Sequence, residues 1–262
     1  MVFAAGLGTR LKPLTDTMPK ALVKVGGQPL LWHVLTKLSA ADYERVVVNV
    51  HHFPQQIKDY LRTNDFGMDI RISDESGLLL ETGGGIKKAR PLFDDEEPLL
   101  IHNVDILSNV DFEWLSRQHE AVEDAVLLVS RRETKRYLLF DSGMRLKGWI
   151  NKETGEVKSP YPWLREAEFM PDSIKPGVLL TPFFRSGAEG VSLYAFAFSG
   201  IHSFSPRLFP LMDRFPDRFG IMDFYLSVCH RAHISGLVKD DLRLMDVGKI
   251  ETLDQAEQFL IG

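Results

Sequence analysis

Apolar and polar positions switch between two periods along this chain, and the switches mark its elements. Val2-Phe3-Ala4-Ala5 is a short apolar run that breaks at Gly6 and Gly8, so it reads as a strand opening into a tight turn. Met1 stands almost inside that run, which predicts a first strand shortened by a trimmed or late-assigned start. After the turn Gly26-Gly27-Gln28-Pro29, the residues Leu31, Val34, Leu35 and Leu38 recur at helical spacing. Arg45-Val46-Val47-Val48-Asn49-Val50 is mostly β-branched and reads as a buried parallel strand. Ile57, Tyr60 and Leu61 mark a short helix, and Asp69-Ile70-Arg71-Ile72 alternates as a strand does. The β-α-β-α-β order predicts an α/β fold with a Rossmann-like, doubly wound, mostly parallel mixed sheet. Ligands are expected at the carboxyl ends of its strands.

Further on, Ile86-Lys87-Lys88-Ala89 is helical and Pro98-Leu99-Leu100-Ile101 is a buried strand. Trp114, Leu115 and Val122 suggest the next helix, and Ala125-Val126-Leu127-Leu128-Val129 the next strand. Tyr137-Leu138-Leu139-Phe140 and Leu146-Lys147-Gly148-Trp149-Ile150 flank Asp141-Ser142-Gly143 and read as a smaller antiparallel hairpin. Residues 151–190 lack a clear period and carry Pro160, Pro162, Pro171, Pro176 and Pro182, the pattern of an irregular insertion or lid. Ser192 to Phe198 alternates strongly, Phe224, Leu226, Val228 and Cys229 belong to a buried helix, and Leu242 to Asp246 is a last strand. Leu253, Ala256, Phe259 and Leu260 form the closing helix. Without an internal repeat or a separable second unit, residues 1–262 read as a single domain.

Composition narrows the classes. A chain of 262 residues, 44% hydrophobic and 26% charged, has the balance of a soluble globular protein with a sizeable core. No apolar run approaches the roughly 18 residues of a membrane span. The single cysteine, Cys229, sits in an apolar helical stretch, which predicts a buried structural thiol and a cytoplasmic home. A net charge of −5 argues against a nucleic-acid surface, so a polyphosphate ligand would need local cations or a metal. Apolar interface and apolar core look alike in a sequence, so oligomeric state leaves no mark here.

The chemistry concentrates in four stretches. A strand opening into Gly6-Leu7-Gly8 exposes backbone N–H groups suited to an anion, and Arg10 and Lys20 add two cations at its rim. That combination marks a candidate triphosphate site. It is not a Walker loop, and Leu11 occupies the place of the third glycine of a dinucleotide fingerprint. Leu80-Glu81-Thr82-Gly83-Gly84-Gly85 leads into a helix and would let a flat ligand lie close to the backbone. Two strands end in acids, at Asn103-Val104-Asp105 and at Asp246-Val247-Gly248, where a metal-bound phosphate would sit. His51 and His52 end a strand, where they read either as residues lining the site or, more commonly for such a place, as an exposed pair; zinc-ligand spacing and a Gly-x-Ser-x-Gly elbow are both absent from the sequence.

Gly6-x-Gly8-Thr9-Arg10-Leu11 with the downstream Pro19-Lys20 closely resembles the signature loop of the sugar-1-phosphate nucleotidyltransferases. The later motifs are similar too, with Val104 where the family has glycine and Lys249 where it has threonine. Ser199-Gly200-Ile201 resembles its sugar-site strand, and the stretch from Gln55 to Gly85 looks especially like N-acetylmuramate-1-phosphate uridylyltransferases. The resemblance implies transfer of a nucleoside monophosphate from a nucleoside triphosphate to a sugar-1-phosphate, with pyrophosphate released. UTP with N-acetylmuramate-1-phosphate is the favoured pair. GTP with mannose-1-phosphate, or another hexose- or heptose-1-phosphate, is the alternative, and a non-catalytic nucleotide-binding subunit is a second class; a Rossmann oxidoreductase is a distant third. It further implies catalytic roles for Arg10 and Lys20, and nucleotide contacts from Ala5, Gly6, Gly8, Thr9, Thr82, Gly83 and Gly84. Asn103 and Gly200 would meet the sugar phosphate, and Asp105 and Asp246 would hold Mg²⁺. In that family, tracts such as 151–190 carry sugar specificity.

Overall fold

The computed structural model describes residues 1–93, 97–180 and 192–261. The chain opens with β1 (Val2–Phe3), three 3-10 turns, and the two-residue strands β2 (Lys24–Val25) and β3 (Gln28–Pro29). There follow α1 (Leu30–Ser39), β4 (Arg45–Val50), α2 (Pro54–Thr63), β5 (Asp69–Asp74), α3 (Glu81–Ala89) and β6 (Leu99–Asn103). The middle of the chain holds β7 (Ile106–Ser108), α4 (Phe112–Arg117), β8 (Ala125–Ser130), β9 (Arg136–Phe140) and β10 (Leu146–Asn151). Next come β11 (Val157–Lys158), α5 (Pro162–Arg165), β12 (Leu179–Leu180) and β13 (Leu193–Phe204). The chain closes with α6 (Phe209–Met212), α7 (Ile221–Val228), β14 (Ile234–Val238), β15 (Leu244–Asp246) and α8 (Leu253–Ile261).

The main sheet runs β11-β10-β9-β13-β6-β1-β4-β5, with β8 and β12 attached to β13 and β14 attached to β8. The half built on β1 is parallel: Val2 of β1 stands between Val48 of β4 and His102 of β6, and β5 follows β4 in register. The long β13 then runs antiparallel to β6 and opens the antiparallel wing of β9, β10 and β11. The expected doubly wound α/β sheet is present, and the hairpin at 137–150 is the core of the wing.

Helices cover both faces of the parallel half, and β4 shows why its sequence is apolar at successive positions. Val46, Val48 and Val50 pack with Leu31, Val34, Leu35 and Leu38 of α1 and Ile57 of α2. Val47 turns to the other face, with Ile86 and Ala89 of α3 and Phe224 and Tyr225 of α7. Each such buried aliphatic side chain contributes about 1.5–3 kcal/mol of transfer free energy. Cys229 is buried beside α7, and burial pushes its thiol up to about 11, the condition of an inert structural cysteine.

The tract after residue 150 is built of pieces two to four residues long, too short to show a period. Through Leu164, Ala167, Ile174 and Leu180 it packs on the face of the wing that carries Tyr137, Leu139, Ile150, Ala195 and Ala197. Two of its prolines open helical turns, Pro162 at α5 and Pro171 at a 3-10 turn. Pro182 and the rest of 181–190 lie outside the described residues. The helix around Trp114 ends at Arg117, so Val122 falls in the following turn rather than on it.

Two histidines, His102 of β6 and His202 of β13, are buried in the ladder between those strands, and burial holds both imidazoles down to about 3. An unfolded histidine titrates near 6.5, so the unfolded chain binds the extra protons between pH 6.5 and 3. Stability is therefore complete above that window and lost as pH falls through it, by up to about 1.4 kcal/mol per pH unit for each ring. His202→Phe preserves most of the ring volume and is expected to flatten the acid limb of a urea-unfolding series. An unchanged slope would show that His202 does not carry this loss.

Candidate active site

The Gly6–Lys20 loop leaves the carboxyl end of β1 at the centre of the parallel half, where an open α/β sheet presents its ligand crevice. Gly6 is exposed and a side chain there would face open space, so its backbone is accessible. Gly8 has φ +63°, and a Cβ there would meet Thr15 Cγ2 at 2.7 Å and Lys20 Cβ at 3.1 Å, so only glycine fits. Its carbonyl accepts from the Leu11 N–H and from Thr15 Oγ1, which curls the loop back on itself. Thr9 and Arg10 stay exposed on that curl, while Lys20 is drawn inward.

Two corners bring the remaining charged residues together. Lys20 Nζ donates to Asp105 Oδ2, both side chains being largely covered. The short strand β15 runs antiparallel to β7, so Asp246 pairs with Ile106 and the Val247 N–H donates to the Asp105 carbonyl at 2.8 Å. That ladder delivers Asp246 to the neighbourhood of Asp105. Arg10 reaches the same corner: the Cβ position of Gly248 lies 2.6 Å from Asp246 Oδ1 and 2.7 Å from Arg10 Nη2. Asn103 ends β6 beside Gly200, whose φ of +81° and absent Cβ leave room for Asn103 Nδ2. Val104, in the place of a family glycine, turns its side chain into the α1-side core.

The donor set suits a hard divalent cation. Among the described residues no group of three or more His, Cys, Asp or Glu side chains converges, so the corner offers the two carboxylates of Asp105 and Asp246. Mg²⁺ commonly takes one or two carboxylates and completes its shell with water and substrate phosphate. The residues present fit such an ion. They do not form a closed protein cage.

The triple glycine lies inside the first turns of α3 rather than ahead of it, and packing explains each member. A Cβ on Gly83 would fall 2.3 Å from the Phe219 ring, and one on Gly84 2.0 Å from the Asp217 carbonyl. The N–H groups of Gly83 and Gly84 both donate to the Phe219 carbonyl, and Thr82 Oγ1 accepts from the Ile221 N–H. The loop is thus clamped to the start of α7. Gly85 makes room for a buried polar pair, Asn49 and Glu75, that sequence reasoning missed.

Asn49 Oδ1 accepts from the N–H groups of Ala4 (2.7 Å) and Ala5 (3.2 Å), while its Nδ2 donates to Glu75 Oε1 at 2.7 Å. Glu75 Oε2 in turn accepts from the Leu80 N–H at 3.1 Å, just before α3. One side-chain bridge therefore joins the start of the Gly6 loop to the start of the Thr82 loop. Burial pushes the Glu75 carboxyl up, against the pull of its bonds from Asn49 and Leu80. The available signal was a lone amide within the apolar run Val46–Val50. His51 and His52 are half-buried and bonded, to the carbonyls of Glu75 and Thr15 respectively, so they brace the same loops.

A glycine turn after a central parallel strand, facing acids on neighbouring strand ends, is the architecture of α/β proteins that take nucleotides in that crevice. The chain belongs to the nucleotidyl transferase family, whose sequence model matches residues 1–142. It is 44% identical over 126 residues to an N-acetylmuramate alpha-1-phosphate uridylyltransferase of Caulobacter vibrioides, covering 47% of this chain and 49% of that one. It is 35% identical over 132 residues to a mannose-1-phosphate guanyltransferase of Neurospora crassa, covering 49% of this chain and 36% of that one. The matched segment thus spans about half the length of the uridylyltransferase, and less of the other. The fold is shared with HddC from Yersinia pseudotuberculosis (TM-score 0.62, 19% identity, 99% of this chain and 97% of that one). It is shared also with the inositol-1-phosphate CTP transferase from T. maritima (TM-score 0.68, 13% identity, 100% and 95%).

Proposed function

We propose that the protein transfers a nucleoside monophosphate from a nucleoside triphosphate to a sugar-1-phosphate, releasing pyrophosphate. The observation that carries this reading is the convergence of Lys20 with Asp105 and of Arg10 with Asp246 beside the open Gly6–Gly8 turn. A non-catalytic relative would be expected to lack one of these four charges. UTP and N-acetylmuramate-1-phosphate are the favoured pair, supported by relatives of that name at 44% and 43% identity against 35% for the guanyltransferase.

In this reading a phosphate oxygen of the sugar-1-phosphate forms a bond to the α-phosphorus, and the bond from that phosphorus to the β-bridging oxygen breaks. The nucleophile is already anionic near neutral pH, so the residues need not remove a proton. The barrier lies in bringing one anion in line with another, and catalysis consists of positioning and charge neutralisation. Arg10 holds the β- and γ-phosphates and the departing pyrophosphate. Lys20 exchanges part of its contact with Asp105 for the α-phosphate or the sugar phosphate. Mg²⁺, held by Asp105 and Asp246, supplies further neutralisation when bound. Backbone groups of Gly6, Gly8 and Thr9 cradle the triphosphate, Ala5, whose N–H is given to Asn49, sets where that turn begins, and Asn103 and Gly200 border the sugar phosphate. Thr82, Gly83 and Gly84 wall the base. Because the Gly83 and Gly84 N–H groups are given to Phe219, the base meets the surface of that loop rather than those donors. The buried thiol of Cys229 supports a cytoplasmic setting.

The test is pyrophosphate release in Mg²⁺, crossing four nucleoside triphosphates with N-acetylmuramate-1-phosphate, mannose-1-phosphate and glucose-1-phosphate. UTP with N-acetylmuramate-1-phosphate is expected to stand above the rest. A guanine and mannose optimum would transfer the reading to the alternative pair. Absence of release from every pair, together with absence of Mg²⁺-dependent triphosphate binding, would overturn it.

A further inference from the structure

A cavity of about 340 Å³ opens on the antiparallel wing, lined by Arg132, Arg136, Trp149, Lys158, Phe198 and Asp223 among others. Its position follows from register. Trp149 pairs directly with Leu138 and with Lys158, and Leu138 pairs with Phe196, so these side chains share one face of the wing. Arg136 and Phe198 lie two residues from Leu138 and Phe196 and fall on that same face. Leu164, Ala167, Ile174 and Leu180 of the tract 151–180 pack on the opposite face, and among the described residues of that tract Lys158 is the one that lines this cavity.

The cavity borders both ends of the candidate active site. Phe198 lies two residues before Gly200, a strand distance of roughly 7 Å, and Gly200 abuts Asn103. On the other side, α7 supplies Met222 and Asp223 immediately after Ile221, whose N–H is bonded to Thr82. Arg132 follows the carboxyl end of β8 and bonds the Phe198 carbonyl through Nη2 at 3.5 Å. The floor is apolar, with Leu138, Leu226, Met222 and the Trp149 ring, over which Lys158 Nζ sits 5.4 Å from the centroid.

Charge gives the cavity its chemistry. Lys158 is paired with Asp223 at 3.5 Å. Among the described residues no carboxylate pairs with Arg132 or Arg136, although acids outnumber bases in the chain, 36 to 31. A cavity lined by two arginines and by aromatic and apolar side chains matches a small ring that carries a carboxylate, which planar guanidinium groups bind in paired hydrogen bonds. Mannose-1-phosphate and glucose-1-phosphate present only hydroxyls on their rings. N-acetylmuramate carries a lactyl ether with a free carboxylate.

We propose that this cavity takes the sugar of the sugar-1-phosphate, and that Arg132 and Arg136 read a carboxylate on its ring. The inference rests on the transferase reading and adds the residues that select an acidic sugar. It is tested by calorimetric titration of two sugar phosphates into the enzyme held with Mg²⁺ and a non-reacting UTP analogue. One is N-acetylmuramate-1-phosphate; the other is N-acetylglucosamine-1-phosphate, the same ring without the lactyl carboxylate. The wild type is expected to bind the first about 10- to 100-fold tighter, the value of a charge-assisted contact. Arg132→Gln or Arg136→Gln is expected to bring that ratio toward one, and both arginines are exposed, so melting temperature should hardly move. Equal affinities in the wild type, binding of neither sugar, or a ratio that survives in both variants overturns the proposal. Pyrophosphate release is read separately: a carboxylate-dependent affinity without release in Mg²⁺ strikes the transferase reading and leaves the pocket standing.

Discussion

Asp105→Asn is expected to lower pyrophosphate release by about 10²–10³-fold, the size of a lost electrostatic contact at a reacting centre. Asp246→Asn is expected to do the same, by a different local route. Asp105 is a largely covered carboxylate whose Oδ2 takes the Lys20 ammonium, whereas Asp246 is exposed and shares its corner with Arg10. Asparagine retains an acceptor for Lys20, so the loop stays folded, with a stability loss of about 1–3 kcal/mol for the weakened buried contact. At Asp246 the fold should be indifferent. In both variants the Mg²⁺ concentration needed for half-maximal rate should rise, since a two-carboxylate site loses one of its charges. Near-normal turnover in either variant with saturating Mg²⁺ would remove that aspartate from the metal site. A fall in turnover matched by loss of the folded state would mean that Asp105 acts on Lys20 alone.

What the sequence carried about this corner was local, and what it lacked was long-range. The apolar runs of β4 and β6 and the Gly6–Gly8 break are signals within a few residues of each other, and their placement follows directly. Asp105 and Asp246 each stood out as an acid at a strand end, but their meeting depends on the β7–β15 ladder, two three-residue strands that share no local pattern. The triple glycine shows the same limit from the other side. Locally it reads as a flexible turn, and its physical reason is the approach of Asp217 and Phe219 from far along the chain. Tract 151–180 was irregular to the eye because its contacts, not its periodicity, hold it to the wing.

The pairing of Asn49 with Glu75 is long-range in the same way, marked in the sequence by the lone amide of the Val46–Val50 run, and it yields the second large effect. Asn49→Ala is expected to destabilise the protein by about 3–5 kcal/mol, since each buried partner left unsatisfied costs about 1–3 kcal/mol. Three partners are stranded: the N–H groups of Ala4 and Ala5 and the Oε1 of Glu75. The Ala5 N–H lies next to exposed Gly6 and recovers part of its loss from water, which keeps the total below the simple sum. The loss should also depend on pH in a stated direction. Burial raises the Glu75 carboxyl above its ordinary range, so its ionisation costs stability as pH climbs from the unfolded value through the folded one. Without the Asn49 amide the ionised form is supported less, the folded value rises further, and the cost extends to higher pH. Urea unfolding should therefore give a larger difference between variant and wild type at pH 8 than at pH 5. The double variant Asn49→Ala with Glu75→Ala should cost less than the two single changes added together, because each removes the other's stranded partner. Function supplies an independent readout, since Ala4 and Ala5 launch the Gly6 loop and Leu80 launches the Thr82 loop. Triphosphate affinity should fall in Asn49→Ala under conditions where the variant is fully folded. A difference below about 1 kcal/mol that is flat with pH, or strict additivity in the double variant, would show that the bridge does not couple the two loops.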